Sequence, residues 1–263
     1  MERDVPDTNN AGPLPPPEKK AFYVREMFGA IARRYDLMNH LMTLGRDQHW
    51  RRYTVSQLDL PSGSPAAEDG RPADTERAPC AVLDVATGTG DLALEVLHQA
   101  PNCTVVGLDI VPQMLSLAQQ KAAASEASLP LAGGDALQLP FGEAVFDGVV
   151  TGFAMRNVTD IPAAFAEMAR VTRPGGRMAC LEIAKPQAPI FRQLYALYFY
   201  HLVPLIGGWI TGEPSAYTYL PHSLTAFLTP DEIAEVMRQT GWREVHYRRL
   251  MLGTVAVHVG TRG

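Results

Sequence analysis

Val82-Leu83-Asp84-Val85-Ala86-Thr87-Gly88-Thr89-Gly90-Asp91 passes from an apolar strand, through a glycine turn, into the start of an amphipathic helix. Gly88 and Gly90 let a ligand approach the backbone closely. A strand feeding a helix in this way is the first half of a β-α-β unit, and the following sequence repeats the pattern. Strands are predicted over residues 81–84, 104–109, 131–133, 146–151 and 177–183, with helices starting at Asp91, Pro112 and Ile161 between them. Residues 244–250 and 254–261 read as an antiparallel hairpin, preceded by a helix whose start is marked by Thr229-Pro230-Asp231-Glu232. The expected fold is α/β, a Rossmann-like and mainly parallel sheet of seven strands with the antiparallel hairpin at its C-terminal end.

The 263 residues are 46% hydrophobic and 19% charged, enough to bury one large core, and carry a formal net charge of -5. Lys and Arg are scattered apart from Arg33-Arg34, Arg51-Arg52 and Arg248-Arg249, so no nucleic-acid partner is expected. Cys80, Cys103 and Cys180 form an odd trio without C-x-x-C spacing. They are expected to be small core residues in a reducing compartment, with neither a disulfide framework nor a metal site. No basic start followed by an apolar run opens the chain, so a cytoplasmic location is expected. Residues 194–210 are too short, and too broken by His201, Pro204 and Gly207-Gly208, for a membrane span. They suit a surface-active segment with peripheral contact at the inner membrane face.

Residues 1–20, with Pro13 and Pro15-Pro16-Pro17 among polar neighbours, are expected to form a disordered tail. Apolar residues recur at helical intervals from Val24 through Met27, Phe28 and Ile31, then Tyr35, Met38, Leu41 and Leu44, predicting a helical cap over 21–60 broken at Gly45. Residues 61–79, dense in Pro, Gly, Ser, Ala and acidic side chains, read as a flexible insertion. The main domain then spans 80–263, with 187–228 as a segment covering substrate.

The glycine turn alone leaves two cofactor classes open, because Gly88-x-Gly90-x-x-Ala93 also satisfies the dinucleotide fingerprint. Gly107-Leu108-Asp109 ends the next strand, where a carboxylate accepts hydrogen bonds from ribose hydroxyls in either class. The discriminating station is Gly134-Asp135-Ala136-Leu137-Gln138-Leu139-Pro140-Phe141, an acidic loop able to meet an adenine amino group. Dinucleotide enzymes do not need it. Asp84 beside the turn suits a sulfonium or amino group and would repel a pyrophosphate. These residues favour S-adenosylmethionine.

Three further segments sharpen the reading: Met27-Phe28-x-x-Ile31-Ala32-x-x-Tyr35-Asp36-x-x-Asn39 with Trp50-Arg51-Arg52; Phe153 through Arg156-Asn157-Val158-Thr159-Asp160; and Tyr219-Leu220-x-x-Ser223. With Arg170-Val171, Pro174-Gly175-Gly176, Leu181-Glu182 and Val255-Ala256-Val257-His258-x-Gly260, the chain resembles the UbiE/MenG family of ubiquinone and menaquinone C-methyltransferases. The resemblance implies a class I S-adenosylmethionine-dependent methyltransferase acting on a ring carbon of a polyprenylated quinol, either demethylmenaquinol or the benzoquinol of the ubiquinone pathway. Carried over by position, its cofactor contacts fall on Thr89, Asp109, Asp135 and Ala136, with Gly152 as a backbone contact. Asp84, Gly88 and Gly90 complete the expected set.

Arg156 and Asn157, just past the fourth strand, are expected to orient the quinol oxygen and stabilise its developing negative charge. Arginine is a poor base, so a water it holds is the better proton acceptor. Tyr35, Asp36, His40 and His222 stand in reserve. The chain departs from the family pattern at Ala154-Met155, where Gly-Leu is usual, and at Gly152, often a hydroxyl residue. Another small aromatic acceptor, a non-catalytic scaffold of a quinone-synthesis complex and a nicotinamide-dependent oxidoreductase stay open, the last disfavoured by the lack of a Tyr-x-x-x-Lys pair. The run from Phe191 to Trp209, with Tyr195, Tyr198, Phe199 and Tyr200, is expected either to pass a polyprenyl tail at a membrane or to pack a core or homodimer contact.

Overall fold

The computed structural model describes residues 15–61, 80–203, 205–207, 219, 223–224 and 227–263. Most of the expected tail (1–14), nearly all of the expected insertion (62–79), Trp209 and His222 lie outside them.

Each predicted strand forms, as β1 (Ala81–Val85), β2 (Thr104–Asp109), β3 (Leu131–Gly133), β4 (Phe146–Gly152), β5 (Thr172–Ile183), β6 (Trp242–Leu250) and β7 (Val255–Arg262). They join in one sheet of order β3-β2-β1-β4-β5-β7-β6. Pairings among the first five are parallel, while β7 runs antiparallel to both β5 and β6. Both faces of the sheet are covered, which is why its central strands are almost continuously apolar. Val82, Val105, Val150 and Ala179 pack on one side with Val55, Leu92 and Val96. Leu83, Leu108, Val149 and Met178 pack on the other with Phe165, Met168, Ile233 and Met237.

The helices are α1 (Pro17–Thr43), α2 (Arg46–Ser56), α3 (Asp91–Gln99), α4 (Pro112–Ala124), α5 (Ile161–Val171), α6 (Pro189–Leu197) and α7 (Pro230–Gln239), with a π-helical turn at Tyr198–Leu202. Gly45, at φ 73°, separates α1 from α2 as the sequence predicts. The capping box is also present: the Thr229 hydroxyl accepts from Glu232 N at 3.3 Å, and Glu232 Oε2 accepts from Thr229 N at 2.7 Å.

Two expectations need correction. The helix begins at Pro17, inside the stretch expected to be disordered, because proline is pre-organised for the first helical turn and Lys20 Nζ donates to Val158 O at 2.8 Å. Cys80 and Cys103 are joined by a disulfide, with Cα atoms 4.6 Å apart. Parallel register sets Ala81 opposite Thr104, so the residues just before them are neighbours although 23 positions apart in sequence. Only Cys180, which is buried, keeps the expected free thiol among the described residues. The odd count therefore says nothing about redox compartment.

No helix among the described residues is long and apolar enough to cross a membrane. The strand order reverses between β1, followed outward by β2, and β4, and a sheet of this type opens its ligand crevice there, at the carboxyl ends of the strands. Replacing Thr229 with Ala removes one half of the capping box, and urea unfolding is expected to register a loss of about 1 kcal/mol with an unchanged slope.

Candidate functional site

A cleft of about 860 Å³, counting its open mouth, lies at that position. Its floor and walls come from strand ends: Ala86 and Gly88 after β1, Leu108 to Val111 at β2, Gly134 to Leu137 after β3, and Gly152 to Ala154 with Asn157 after β4. Ala21, Val24, Phe28 and Tyr35 of α1 line it as well. The helical cap thus supplies an apolar wall to the cleft.

The turn after β1 is held in an unusual backbone conformation, with Ala86, Gly88 and Gly90 at φ of 55°, 57° and 87°. Left-handed geometry of this kind is costly for alanine and cheap for glycine. Side chains beneath the turn keep it there. Asp84 Oδ2 accepts from the Thr87 hydroxyl at 2.6 Å and from Ala93 N at 3.0 Å, tying the turn to the first turn of α3. From the neighbouring strand, Asp109 Oδ2 accepts from Gly88 N at 2.8 Å and Oδ1 from Val111 N at 2.8 Å. Burial raises the pKa of both carboxyls, that of Asp84 to about 7, against the hydrogen bonds that lower it.

The expected cofactor residues separate into two groups. Gly88, Asp109, Asp135, Ala136 and Gly152 line the cleft. A Cβ at Gly88 would meet nothing within 4 Å, so that glycine opens the backbone to a ligand. At Gly152 a Cβ would stand 2.8 Å from Leu92 Cδ1, so a side chain there would require that leucine to shift. Asp135 Oδ1 accepts from Leu137 N at 2.9 Å, which orders the acidic loop.

Asp84, Thr89 and Gly90 are not among the residues that line the cleft, and each holds the turn from behind. Asp84 is fully buried beneath the turn, and Gly90 is the N-cap of α3. Thr89 donates to Asp36 Oδ1 at 2.6 Å and accepts from Lys121 Nζ at 2.9 Å. Lys121 also pairs with Asp91 and with Asp36 Oδ2 at 2.7 Å, and Arg51 pairs with Asp91 Oδ2 at 3.1 Å and with Asp47. These charges fasten α1 and α2 to the glycine turn. Nothing in the sequence marked Lys121, whose network draws together residues of α1, α3 and the glycine turn.

On the β4 side, Phe153 sits at φ 57° and its N–H donates to Leu181 O at 2.7 Å. A 3-10 turn over Met155–Asn157 follows. Asn157 lines the cleft, and its Oδ1 accepts from the Tyr219 hydroxyl at 3.3 Å. Arg156 is not among the residues that line it. Its guanidinium is buried, with Nη1 3.9 Å from Glu182 Oε2, because the 3-10 turn directs adjacent residues to different sides. Ala154 lines the cleft while Met155 is fully buried in the core. Of the reserve residues, Tyr35 reaches the cleft, Asp36 belongs to the Lys121 network, and His40 pairs with Asp47 at 3.3 Å.

The model of the ubiE/COQ5 methyltransferase family matches residues 17–262. The chain belongs to that family. It is similar to demethylmenaquinone methyltransferases of Roseiflexus castenholzii and Deinococcus radiodurans, each 44% identical over 96% of this chain and 99% and 98% of theirs. It is also 38% identical to the ubiquinone/menaquinone biosynthesis C-methyltransferase UbiE of Desulfotalea psychrophila, over 91% of this chain and 90% of that one. Among solved structures, a SAM-dependent methyltransferase from Thermotoga maritima shares the fold at TM-score 0.61 and 16% identity, covering 91% of this chain and 99% of that one. The cyclase SpnF shares it at 0.63 and 14%, covering 91% and 94%. The chain is a methyltransferase dependent on S-adenosylmethionine, and the cleft fits that cofactor: an open glycine backbone, a buried strand-end carboxylate and an acidic loop converge on it.

The raised pKa of Asp84 has a thermodynamic signature. The neutral form is the one that burial favours, so its contribution to stability is full below the ordinary value of 3.8 and is lost as pH rises through about 7. Asp84→Asn mimics the neutral form at every pH. The melting temperature of the wild type minus that of the variant is expected to fall from pH 4 to about pH 7 and then level off; a difference independent of pH would contradict the assignment.

Proposed function

We propose that this methyltransferase alkylates a ring carbon of a reduced polyprenylated quinone, with demethylmenaquinol as the leading acceptor and the ubiquinone-pathway benzoquinol second. The observation that carries this reading is a single cleft in which the polar cofactor stations Gly88, Asp109 and Asp135 meet an apolar wall of Val24, Phe28 and Phe153 beside one amide, Asn157. The relatives' names supply the acceptor class.

S-adenosylmethionine supplies an electrophilic methyl group when bound. Asp109 would accept from ribose hydroxyls with the lone pairs its backbone donors leave free, and Asp135 with Ala136 would border the adenine. On the acceptor side, a quinol carbon becomes strongly nucleophilic as its hydroxyl loses a proton. The Asn157 amide accepts from Tyr219 through Oδ1 and donates to Phe153 O at 3.4 Å through Nδ2, whose second N–H would donate to the quinol oxygen. Arg156, buried one residue away, favours the phenolate through its charge without touching it. The apolar walls exclude water, and alignment of acceptor and methyl group contributes most of the rate.

Incorporation of labelled methyl into a demethylated quinone extract is expected only after reduction of the extract. Asp109→Ala is expected to weaken S-adenosylhomocysteine binding at least ten-fold by calorimetry. Equal incorporation into oxidised extract would contradict the quinol mechanism.

The acceptor's polyprenyl tail resides in a bilayer, and the surface carries a face suited to one. Ile190, Leu194 and Leu197 of α6, with Leu202 and Leu205 beyond it, are exposed, as are Leu37, Leu41 and Leu44 near the end of α1. The Tyr198 hydroxyl donates to Met42 O at 3.0 Å and joins the two segments. Phe199 turns inward and is buried, with Tyr195 stacked on it at 5.2 Å. No Asp or Glu occurs between Glu182 and Glu213, and Arg33 and Arg46 on the cap are exposed, a charge pattern matched to anionic headgroups. This face rests peripherally on the cytoplasmic side of the membrane. Replacing Leu194, Leu197 and Leu205 together with Ser removes on the order of 1.5 kcal/mol or more of apolar transfer each, so sedimentation with anionic phospholipid vesicles is expected to weaken at least a hundred-fold. Unchanged vesicle binding with a shift from dimer to monomer would assign the face to a second copy of the chain instead.

A further inference from the structure

Glu182 stands at the carboxyl end of β5, fully buried, and the methyl-transfer chemistry leaves it unused. One of its oxygens anchors backbone, since Oε1 accepts at 2.7 Å from the N–H of Met155, the first residue of the 3-10 turn that carries Arg156 and Asn157. The other, Oε2, has no hydrogen-bond partner and faces Arg156 Nη1 at 3.9 Å. Arg156 is equally incomplete, with Nε and Nη1 buried and unpartnered. The carboxylate Oε2 and the guanidinium Nε and Nη1 are thus buried just short of hydrogen-bond contact and leave each other unsatisfied. Such an arrangement is poor as a stabilising device, because apolar side chains of similar volume would serve the core better. It is useful if the guanidinium has to remain charged, oriented and incompletely neutralised next to a reacting anion.

We propose that Glu182 is a positioning residue for methyl transfer, which holds the Arg156-Asn157 turn and the Arg156 guanidinium in the orientation that stabilises the acceptor's phenolate. The inference rests on the quinol reading above and names the residue through which Arg156 acts. One carboxylate serves twice, anchoring the turn backbone through Oε1 and setting its charge beside the guanidinium through Oε2. Neighbouring titratable groups are few. Arg156 faces Glu182 from the turn, Cys180 lies two residues back on the same strand, and β7 sets Ala256 opposite. Beyond Arg156, Tyr35 of α1 and Tyr219 lie within its electrostatic reach. Burial lifts the Glu182 carboxyl to about 7 against the pull of Arg156, so the ionised form that engages Arg156 is lost as pH falls below neutrality.

The test compares Glu182→Gln, Arg156→Gln and the double variant with the wild type, using reduced demethylated quinone as acceptor. Glu182→Gln keeps an acceptor for Met155 N–H and removes the charge. It is expected to lower kcat at least ten-fold, to leave the KM for acceptor and the affinity for S-adenosylhomocysteine within two-fold, and to abolish the acid limb of the kcat profile near pH 7. The double variant, in which no unpaired charge is left, is expected to be no slower than Arg156→Gln alone. A wild-type kcat in Glu182→Gln, or additive losses in the double variant, would overturn the proposal. If Glu182→Gln does not fold, Glu182→Asp decides: with charge kept and reach shortened, it is expected to lose kcat alone, and wild-type turnover would overturn the inference. Failure of the wild type to methylate the reduced acceptor while binding S-adenosylhomocysteine would instead strike the proposed function.

Discussion

Everything in the site depends on keeping the backbone after β1 in a left-handed path. Three positive-φ residues in five, one of them alanine, do not hold that shape unaided. Asp84 from below and Asp109 from the next strand hold it, using buried carboxylate oxygens that accept from the turn's hydroxyl and N–H groups. Both carboxyls carry a desolvation cost, visible in their raised pKa values, and their hydrogen bonds offset part of it. The crevice at the strand-order reversal follows from topology, but its ability to take a ligand against bare backbone follows from this turn.

The cap is coupled to the same turn. Lys121 gathers Asp36, Thr89 and Asp91 around one ammonium group, and Arg51 adds Asp47 from α2. The partly exposed pairs of Lys121 contribute modestly one by one, while Arg51 and Asp47 are buried. Their value here is registration: Thr89 and Asp36 set α1 so that Val24, Phe28 and Tyr35 form a cleft wall. Glycine turn and cleft wall are therefore not independent. Substitutions in the cap are expected to alter both affinities together.

The fold was legible in the sequence because its signals are local. Alternating apolar runs, the Thr229 capping box and Gly45 each act within a few residues, and β1 to β7 appear at the expected places. Where boundaries moved, a tertiary contact was responsible, as with Lys20 reaching Val158 and so ordering residues near Pro17. The bridge between Cys80 and Cys103 depends on parallel register across an intervening helix, which spacing alone does not reveal. The site was legible in part. Gly88, Asp109, Asp135 and Asn157 could be placed because strand ends in such sheets face the ligand. Asp84 and Arg156, close in sequence to cleft residues, point elsewhere, since one residue along a strand or tight turn changes the side faced. Lys121 gave no sequence signal, and Glu182 entered only as part of the family-like Leu181-Glu182 pair with no role attached; their significance lies in partners from distant segments.

The central claim is that the acceptor reacts at carbon, as a phenolate, beside the Asn157 amide and the buried Arg156 charge. The most direct measurement is the position of the transferred group: methylation of reduced demethylmenaquinone with carbon-13-methyl S-adenosylmethionine, followed by nuclear magnetic resonance of the isolated product. A label found wholly as a ring-carbon methyl, in a product that can still be oxidised to the quinone, is the predicted result. A label on oxygen, giving a methyl ether that resists oxidation, would contradict the account.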